Sequence, residues 1–383
     1  MFIEALRKNN PRFIEAAFDL YATGELQPDT YLIDLDMLLE NARLIKDEAD
    51  KFAISLYYMT KQFGRNPDIA RKLDELGYCG AVAVDWREAL TLAENGVRLG
   101  HVGHLVQTPF TVLERILMHR PEVLTVYSLD MAEQVNLVAK KLGMTQKLLL
   151  KIIETGDVIY PGQEGGLPLT IATTVAEQIN ALSNVVVEGI TAFPCFLFSD
   201  EKIKATNNMD TLKTAAYVLR RNGVAINQIN TPSATCIAAM PLLKECGSTH
   251  GEPGHALTGT TPLHATGAQP ERIAMLYISE VSHNYLGRSL CYGGGYYRRS
   301  NMCNAIAKKS DGEYEVIGTG KIDDGSIDYY FPLDGRCSVG TPIVFCFRTQ
   351  VFVTRSEVAV VEGIQSGAPR IIGVYDAQGR WLR

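Results

Sequence analysis

A chain of 383 residues, 46% apolar and 21% charged, has the composition of an ordinary globular protein and is long enough for two domains. Its net charge of −6 and isoelectric point near 5.7 give no basic footprint for nucleic acid, and its apolar runs are strand-sized, too short to cross a bilayer. The first 21 residues scatter Glu4, Arg7, Lys8, Arg12 and Glu15 where a signal peptide needs an apolar centre, so a cytoplasmic protein is expected. Eight cysteines, at 79, 195, 236, 246, 291, 303, 337 and 346, form no Cys-x-x-Cys pair and no zinc spacing with histidine. They read as small apolar residues of a reducing compartment, and no metal site is expected.

Residues 1–28 carry an amphipathic helical pattern ending in a turn at Gly24 to Pro28. Tyr31 to Asp34 read as a short strand, after which Asp36 is expected to cap a helix bearing Leu38, Leu39, Ala42 and Ile45. From Ala53 one unit recurs: an apolar strand, a capping residue with glutamate three places on, an amphipathic helix and a closing glycine. Asn66 and Pro67 open one such helix, which Gly77 ends. Asp85 with Glu88, Asp130 with Glu133, and Thr174 with Glu177 read as capping boxes. Strand-like runs fall near 53–58, 80–84, 101–106, 123–127, 147–153, 185–192, 226–231 and 247–252. Eight mostly apolar strands alternating with helices predict an α/β fold, a parallel (β/α)8 barrel of the TIM type, with an open doubly wound sheet as the alternative.

After about residue 270 the helical period fades. Ile273 to Ile278, Glu313 to Ile317, Ile343 to Phe347 and Gln350 to Val353 read as strands separated by Gly, Pro and Asp turns, and Lys308 to Gly312 as a hairpin turn. The expected domains are therefore 30–265 for the barrel and 266–383, with part of 1–30, for a C-terminal all-β domain.

In such a barrel the chemistry sits at the carboxyl ends of the strands, and phosphate sites favour the loops after the last two. Lys61 follows the first barrel strand. Thr231-Pro-Ser233-Ala234-Thr235 follows the seventh and offers hydroxyls and loop N–H groups to an anion. The eighth is followed by His250-Gly-Glu252-Pro-Gly254-His255, whose glycines admit a ligand close to the backbone. Each has a plainer reading: a solvated lysine after a strand, a helix cap, an ordinary glycine loop and an exposed carboxylate. Taken together they suggest a phosphorylated carbonyl cofactor held as a Schiff base, which points to pyridoxal 5'-phosphate.

Ile33-Asp-Leu-Asp36 with Asn41, Met59-Thr-Lys61, Thr231 to Thr235 and Glu252 to Gly259 fall in the order and spacing of the alanine racemase-like family of pyridoxal-phosphate enzymes, which this chain resembles over about residues 30 to 265. Thr191-Ala-Phe-Pro-Cys195-Phe196 is similar to a segment of the ornithine racemase-like branch. The resemblance implies that Lys61 is the Schiff-base lysine, and that Ser233, Ala234, Thr235 and the backbone at Gly254 form the phosphate cradle, with His255 beside it. Arg65 stands where alanine racemases carry a phosphate-binding tyrosine, and reads either as a phosphate partner or as a surface arginine.

Two departures qualify the likeness. Glu252 occupies the place of an arginine that faces the pyridine nitrogen, and a carboxylate there favours a protonated ring. The histidine that packs on the ring in alanine racemases aligns near Ala192, so that support is missing. Leu290 to Arg299 resembles the segment that brings the second acid/base tyrosine across a dimer interface, which makes Tyr292 the candidate, against a reading as a tyrosine flanking a glycine bulge. Arg298 or Arg299 reads as a substrate-carboxylate partner or as part of a solvated hairpin. The run 344–352 lacks the His-x-Cys metal pair of aldolase and dehydratase relatives.

The resulting expectation is a pyridoxal-phosphate-dependent racemase or epimerase. It would act on a small amino-acid substrate by two-base proton exchange, with a homodimer implied by the resemblance and no nucleic-acid or membrane partner. The alternatives are a non-catalytic carrier or regulator of the cofactor and a D-amino-acid lyase.

Overall fold

The computed structural model describes residues 2–199, 201–323 and 325–383. They form two units: Ile45–Thr60 with Pro67–Gly254, and Met1–Leu44 with Lys61–Asn66 and His255–Arg383.

The first unit is the barrel. Its strand segments are Ser55–Leu56, Tyr58–Met59, Ala81–Ala83, Leu99–Val102, Val123–Val126, Gln146–Lys151, Val185–Thr191, Gln228–Asn230 and His250–Gly251. Every pairing among them is parallel. The first two segments are interrupted only at Tyr57; one pairs with His250–Gly251 and the other with Ala81–Ala83. A single broken strand thus closes the ring, and the staves number eight, as the sequence pattern predicts. Their side chains are buried on both faces, as at Leu148, Leu149 and Leu150, which is why these runs are continuously apolar rather than alternating.

The middle of the barrel is filled by Tyr57, whose ring stacks on His250 at 5.4 Å and whose hydroxyl lies 3.3 Å from Gln228 Oε1. Gly100 is required beside it, because a Cβ there would stand 2.4 Å from the Tyr57 ring. The third stave ends at Val102 rather than 106, where Gly103 turns the chain with φ 83°.

The helix starts differ in detail from the sequence reading. Pro67 opens Pro67–Glu75 as expected. At Trp86–Glu94 the Asp85 carboxylate accepts the Glu88 N–H at 2.9 Å as expected, and Glu88 Oε2 accepts Val84 N–H at 2.8 Å. Ser128, not Asp130, caps Leu129–Lys141 through Met131 N–H. Thr174 lies inside Leu169–Asn180, which starts after Pro168 without a side-chain cap. A hydroxyl or carboxylate three places before glutamate recurs by chance within helices, and the capping residue is the one where the backbone is still extended.

In the second unit, seven strands follow the order Tyr314–Gly318, Asn304–Lys308, Pro342–Phe345, Met275–Tyr285, Thr30–Asp34, Glu357–Glu362 and Arg370–Tyr375. Arg288–Tyr292 and Tyr330–Leu333 branch from Met275–Tyr285. Helices Phe2–Asn9 and Pro11–Ala22 pack Phe2, Ile3, Leu6, Phe13 and Phe18 onto this sheet through Leu32, Ile278, Val344 and Val361. Asp34, not Asp36, caps the helix Leu35–Lys51, accepting Met37 N–H at 3.1 Å. The turn at 309–313 joins an antiparallel hairpin as expected, whereas Val351–Val353 is a 3-10 turn rather than a strand. All eight cysteines are free thiols, and no described helix is long and apolar enough to cross a membrane.

Candidate active site

The first, eighth and seventh staves are neighbours in the ring: Leu56 pairs with Gly251, and His250 with Asn230. Met59 N–H donates to Pro253 C=O at 2.9 Å, so the first and eighth strands leave the ring side by side. Lys61 comes directly after the buried Thr60, and Glu252 and Gly254 directly after the eighth strand. Segments far apart in sequence, one ending at Thr60 just before Lys61 and one leading into Glu252, therefore leave adjacent staves.

Glu252 is 5% exposed, which removes the reading of it as a solvated carboxylate. Its Oε1 lies 2.7 Å from His101 Nδ1 and accepts Asn230 Nδ2–H at 2.8 Å. His101 Nε2 stands 2.5 Å from Thr125 Oγ1, and Asn230 Nδ2 is 3.4 Å from Thr191 Oγ1. Both side-chain bonds of Glu252 fall on Oε1, leaving Oε2 without one among the described residues, and the buried Asn230 Oδ1 has no donor there. Burial by itself drives the Glu252 carboxyl upward. The hydrogen bond and charge of His101, the charge of His104 and the Asn230 amide outweigh it and bring the group down to about 2. His250, on the same strand, is pushed down to about 4 by burial and by the charge of His101.

The loop after the seventh stave does not cap a helix. The 3-10 turn Ile237–Ala239 begins at Cys236, which makes no side-chain cap bond. Ser233 and Ala234 instead hold consecutive left-handed conformations, φ 88° and 53°, an arrangement that costs on the order of 1–3 kcal/mol per residue and clusters at ligand clamps. The Ser233 hydroxyl donates to Phe196 C=O at 2.5 Å and accepts Phe196 N–H at 3.1 Å. Thr235 Oγ1 accepts Glu252 N–H at 3.0 Å, so both hydroxyls knit the loop to its neighbours. The N–H groups of Ser233, Ala234 and Thr235 donate to no group among the described residues.

In the second unit, Lys61 opens a 3-10 turn, Lys61–Phe63, and is partly buried. His255 lies with it: its Nε2–H donates to Thr349 C=O at 2.9 Å, and its Nδ1 stands 3.5 Å from Gln62 Nε2. Burial, then the charges of Arg348 and Lys61, hold this imidazole well below its ordinary range, so it is neutral. Arg65 is 3% exposed and not a surface residue. Its Nη1 donates to Gln378 Oε1 at 2.7 Å and its guanidinium stacks 4.8 Å from the Phe352 ring centre. Tyr292 ends the strand Arg288–Tyr292, 40% exposed, its ring 6.3 Å from that of Tyr330. Arg298 and Arg299 lie on an exposed turn.

The sequence reading missed the imidazoles and the amide of the barrel interior. Ala192 is buried where a ring-packing histidine was sought, but His101 and His104 come from the third stave, their rings 5.0 Å apart and His104 edge-on to Phe193 at 5.8 Å. The available signal was a histidine inside a strand with both faces buried, where a polar side chain has to be partnered. Lys151 was missed likewise. It is 3% exposed, donates to Tyr127 Oη at 3.2 Å and Gln163 C=O at 3.1 Å, and sits 4.4 Å over the Tyr127 ring. Burial lowers its amine to about 8.

Residues 33–262 match the alanine racemase N-terminal domain, and residues 276–371 the YhfX-like C-terminal domain. The uncharacterized protein YhfX of Escherichia coli is 45% identical over 386 residues, covering 100% of both chains. Alanine racemase 1 of Clostridium acetobutylicum is 27% identical over 236 residues, covering 60% of this chain and 57% of the racemase. Among solved structures, the D-threo-3-hydroxyaspartate dehydratase of a Delftia species superposes with a TM-score of 0.68 at 14% identity, covering 94% of this chain and 97% of the dehydratase; at that identity it shares the fold alone. With a family match over the barrel and full-length likeness to YhfX, the chain belongs to the alanine racemase-like family, in its YhfX-like form.

Proposed function

We propose that the protein is a pyridoxal-phosphate-dependent amino-acid racemase or epimerase, with Lys61 holding the cofactor and Lys61 and Tyr292 moving the substrate's α-proton. The observation that carries this reading is Glu252: a buried carboxylate kept anionic, both of whose side-chain bonds fall on Oε1, at the end of the stave that lies between the two whose loops offer a lysine and a cluster of uncommitted N–H groups.

The residues fit the cofactor. Glu252 Oε2, which takes no side-chain bond among the described residues, would accept from a protonated ring nitrogen, and an ionised carboxylate there would keep that nitrogen protonated. The N–H groups of Ser233, Ala234 and Thr235, with the backbone at Gly254, would hold the phosphate. His255, neutral and fixed through Thr349, would line the site beside Lys61. Arg65, whose Nη1 donates to Gln378 and whose guanidinium stacks on Phe352, would fix the turn that carries Lys61.

When bound, pyridoxal phosphate supplies an electron sink for the charge left on the substrate α-carbon. The chain's own residues then have to move a proton on two faces. Lys61, once it no longer holds the cofactor, is a neutral amine able to accept or return the proton on its side. Tyr292 would do so on the other. Its exposure on the β-rich unit supports its being supplied to a second copy of the chain, hence a homodimer. A small amino acid is the proposed substrate class. Incubating each enantiomer of a panel of amino acids in heavy water tests the reading: α-deuterium incorporation from both enantiomers of one amino acid is expected, and its absence throughout would remove the racemase.

A further inference from the structure

We infer that His101 is a positioning residue for this reaction: it closes Glu252 Oε1 with a hydrogen bond and so leaves Oε2 alone to meet the cofactor's ring nitrogen. The inference rests on the pyridoxal-phosphate reading for the partner of Oε2, and on the barrel's own geometry for the rest.

His101 is completely buried on the third stave. Its two nitrogens are bracketed, Nδ1 at 2.7 Å from Glu252 Oε1 and Nε2 at 2.5 Å from Thr125 Oγ1 on the fourth stave. As a neutral ring it donates from Nδ1 and accepts the Thr125 hydroxyl at Nε2; as an imidazolium it donates from both. In either state an N–H points at Glu252, so the carboxylate keeps its donor whatever the charge of the ring. Asn230, on the seventh stave, adds a second donor to the same oxygen at 2.8 Å. Its amide orientation follows from chemistry, because the reverse would set Oδ1 against the carboxylate. The ring cannot easily turn away, with His104 at 5.0 Å and Tyr57 at 6.0 Å between centres.

A carboxylate buried without such donors would take up a proton and lose the charge that the ring nitrogen needs. The titratable groups facing Glu252 are His101 and His104 from the third stave, Tyr57 from the first, Cys195 beyond the sixth and His250 on its own strand. Of these, His101 is the one in hydrogen-bond contact. The sequence hides this role, because a histidine within an apolar strand 151 positions from its partner has no local motif.

The test follows the Glu252 carboxyl by carbon-13 NMR in protein free of cofactor, its signal identified by its loss in Glu252→Gln. In the wild type the signal is expected to stay ionised from pH 7 down to pH 4. In His101→Leu its midpoint is expected to rise by at least a pH unit, about a tenfold gain in proton affinity. His101→Asn, whose amide N–H takes the place of Nδ1–H, restores most of the wild-type behaviour, and Thr125→Val gives a smaller shift. With pyridoxal phosphate added, His101→Leu is expected to show a pH-dependent visible spectrum where the wild type's is constant, and a lower kcat at nearly unchanged KM. An unmoved carboxyl in His101→Leu, with cofactor spectra identical to wild type, overturns the inference and leaves the cofactor reading standing. A moved carboxyl in a protein that takes up no pyridoxal phosphate overturns it through the cofactor instead.

Discussion

Replacing Glu252 by glutamine is the perturbation for which the structure gives a size. The folded carboxyl sits at about 2 against an ordinary 4.5, and each unit of difference is worth about 1.4 kcal/mol, so ionised Glu252 contributes about 3 kcal/mol to stability. Because the folded value is the lower one, the contribution is complete above about pH 4.5 and is lost as the pH falls from there towards 2. Glutamine keeps an acceptor for His101 but does not titrate. Unfolding in urea, read by the fluorescence of Trp86 in a Trp381→Phe background so that only the barrel reports, should show wild type and Glu252→Gln separated by a constant margin from pH 7 to 5.5. The margin should then shrink as the pH is lowered towards 3, where acid unfolding ends the comparison. A margin that stays flat from pH 6 to 3 would refute the reasoning, since Glu252 would then not be held ionised by its neighbours.

Other predictions concern groups elsewhere in the site and the barrel. Lys151 has its folded amine lowered from 10.5 to about 8, so the unfolded chain binds more protons between those values and stability should rise with pH across that window, by about 3 kcal/mol. Lys151→Met should lack that rise in denaturant titrations from pH 8 to 10.5. Ala234, at φ 53°, should tolerate glycine with no loss or a gain of up to about 1 kcal/mol. Ala234→Val should cost about 2 kcal/mol, because a β-branched side chain resists that backbone, and should weaken pyridoxal-phosphate uptake measured by equilibrium dialysis. Tyr292→Phe should slow α-deuterium exchange for one enantiomer far more than for the other, and equal slowing of both would remove it as a face-specific base.

Much of the fold was legible because the barrel imposes a strong pattern: eight apolar runs, each followed by a helix, found in the structure within three residues of where they were read except at the end of the third, which falls four residues short. That Lys61, Glu252 and the 231–235 loop follow barrel strands was legible because strand ends and turn residues carry local signals. The helix caps were less so. Asp130 and Thr174 have the right spacing to a glutamate, but the extended backbone that marks a cap is not written in residue type. Five strands of the β-rich unit, among them Asn304–Lys308 and Arg370–Tyr375, were passed over because their alternation is short and broken by turns. His101, Asn230 and Lys151 escaped for a different reason. Each is a polar residue inside an apolar strand whose partner lies on another stave, so only the closed ring reveals what satisfies it.

The proposed function depends on one bond, between Lys61 and the aldehyde of pyridoxal phosphate. The direct measurement is to mix purified protein with pyridoxal phosphate, reduce with borohydride and map the modified peptide by mass spectrometry. The account predicts a visible absorbance that borohydride abolishes, a single labelled peptide with the mass on Lys61, and loss of both in Lys61→Ala. Absence of the absorbance, or a label that persists in Lys61→Ala, would contradict it.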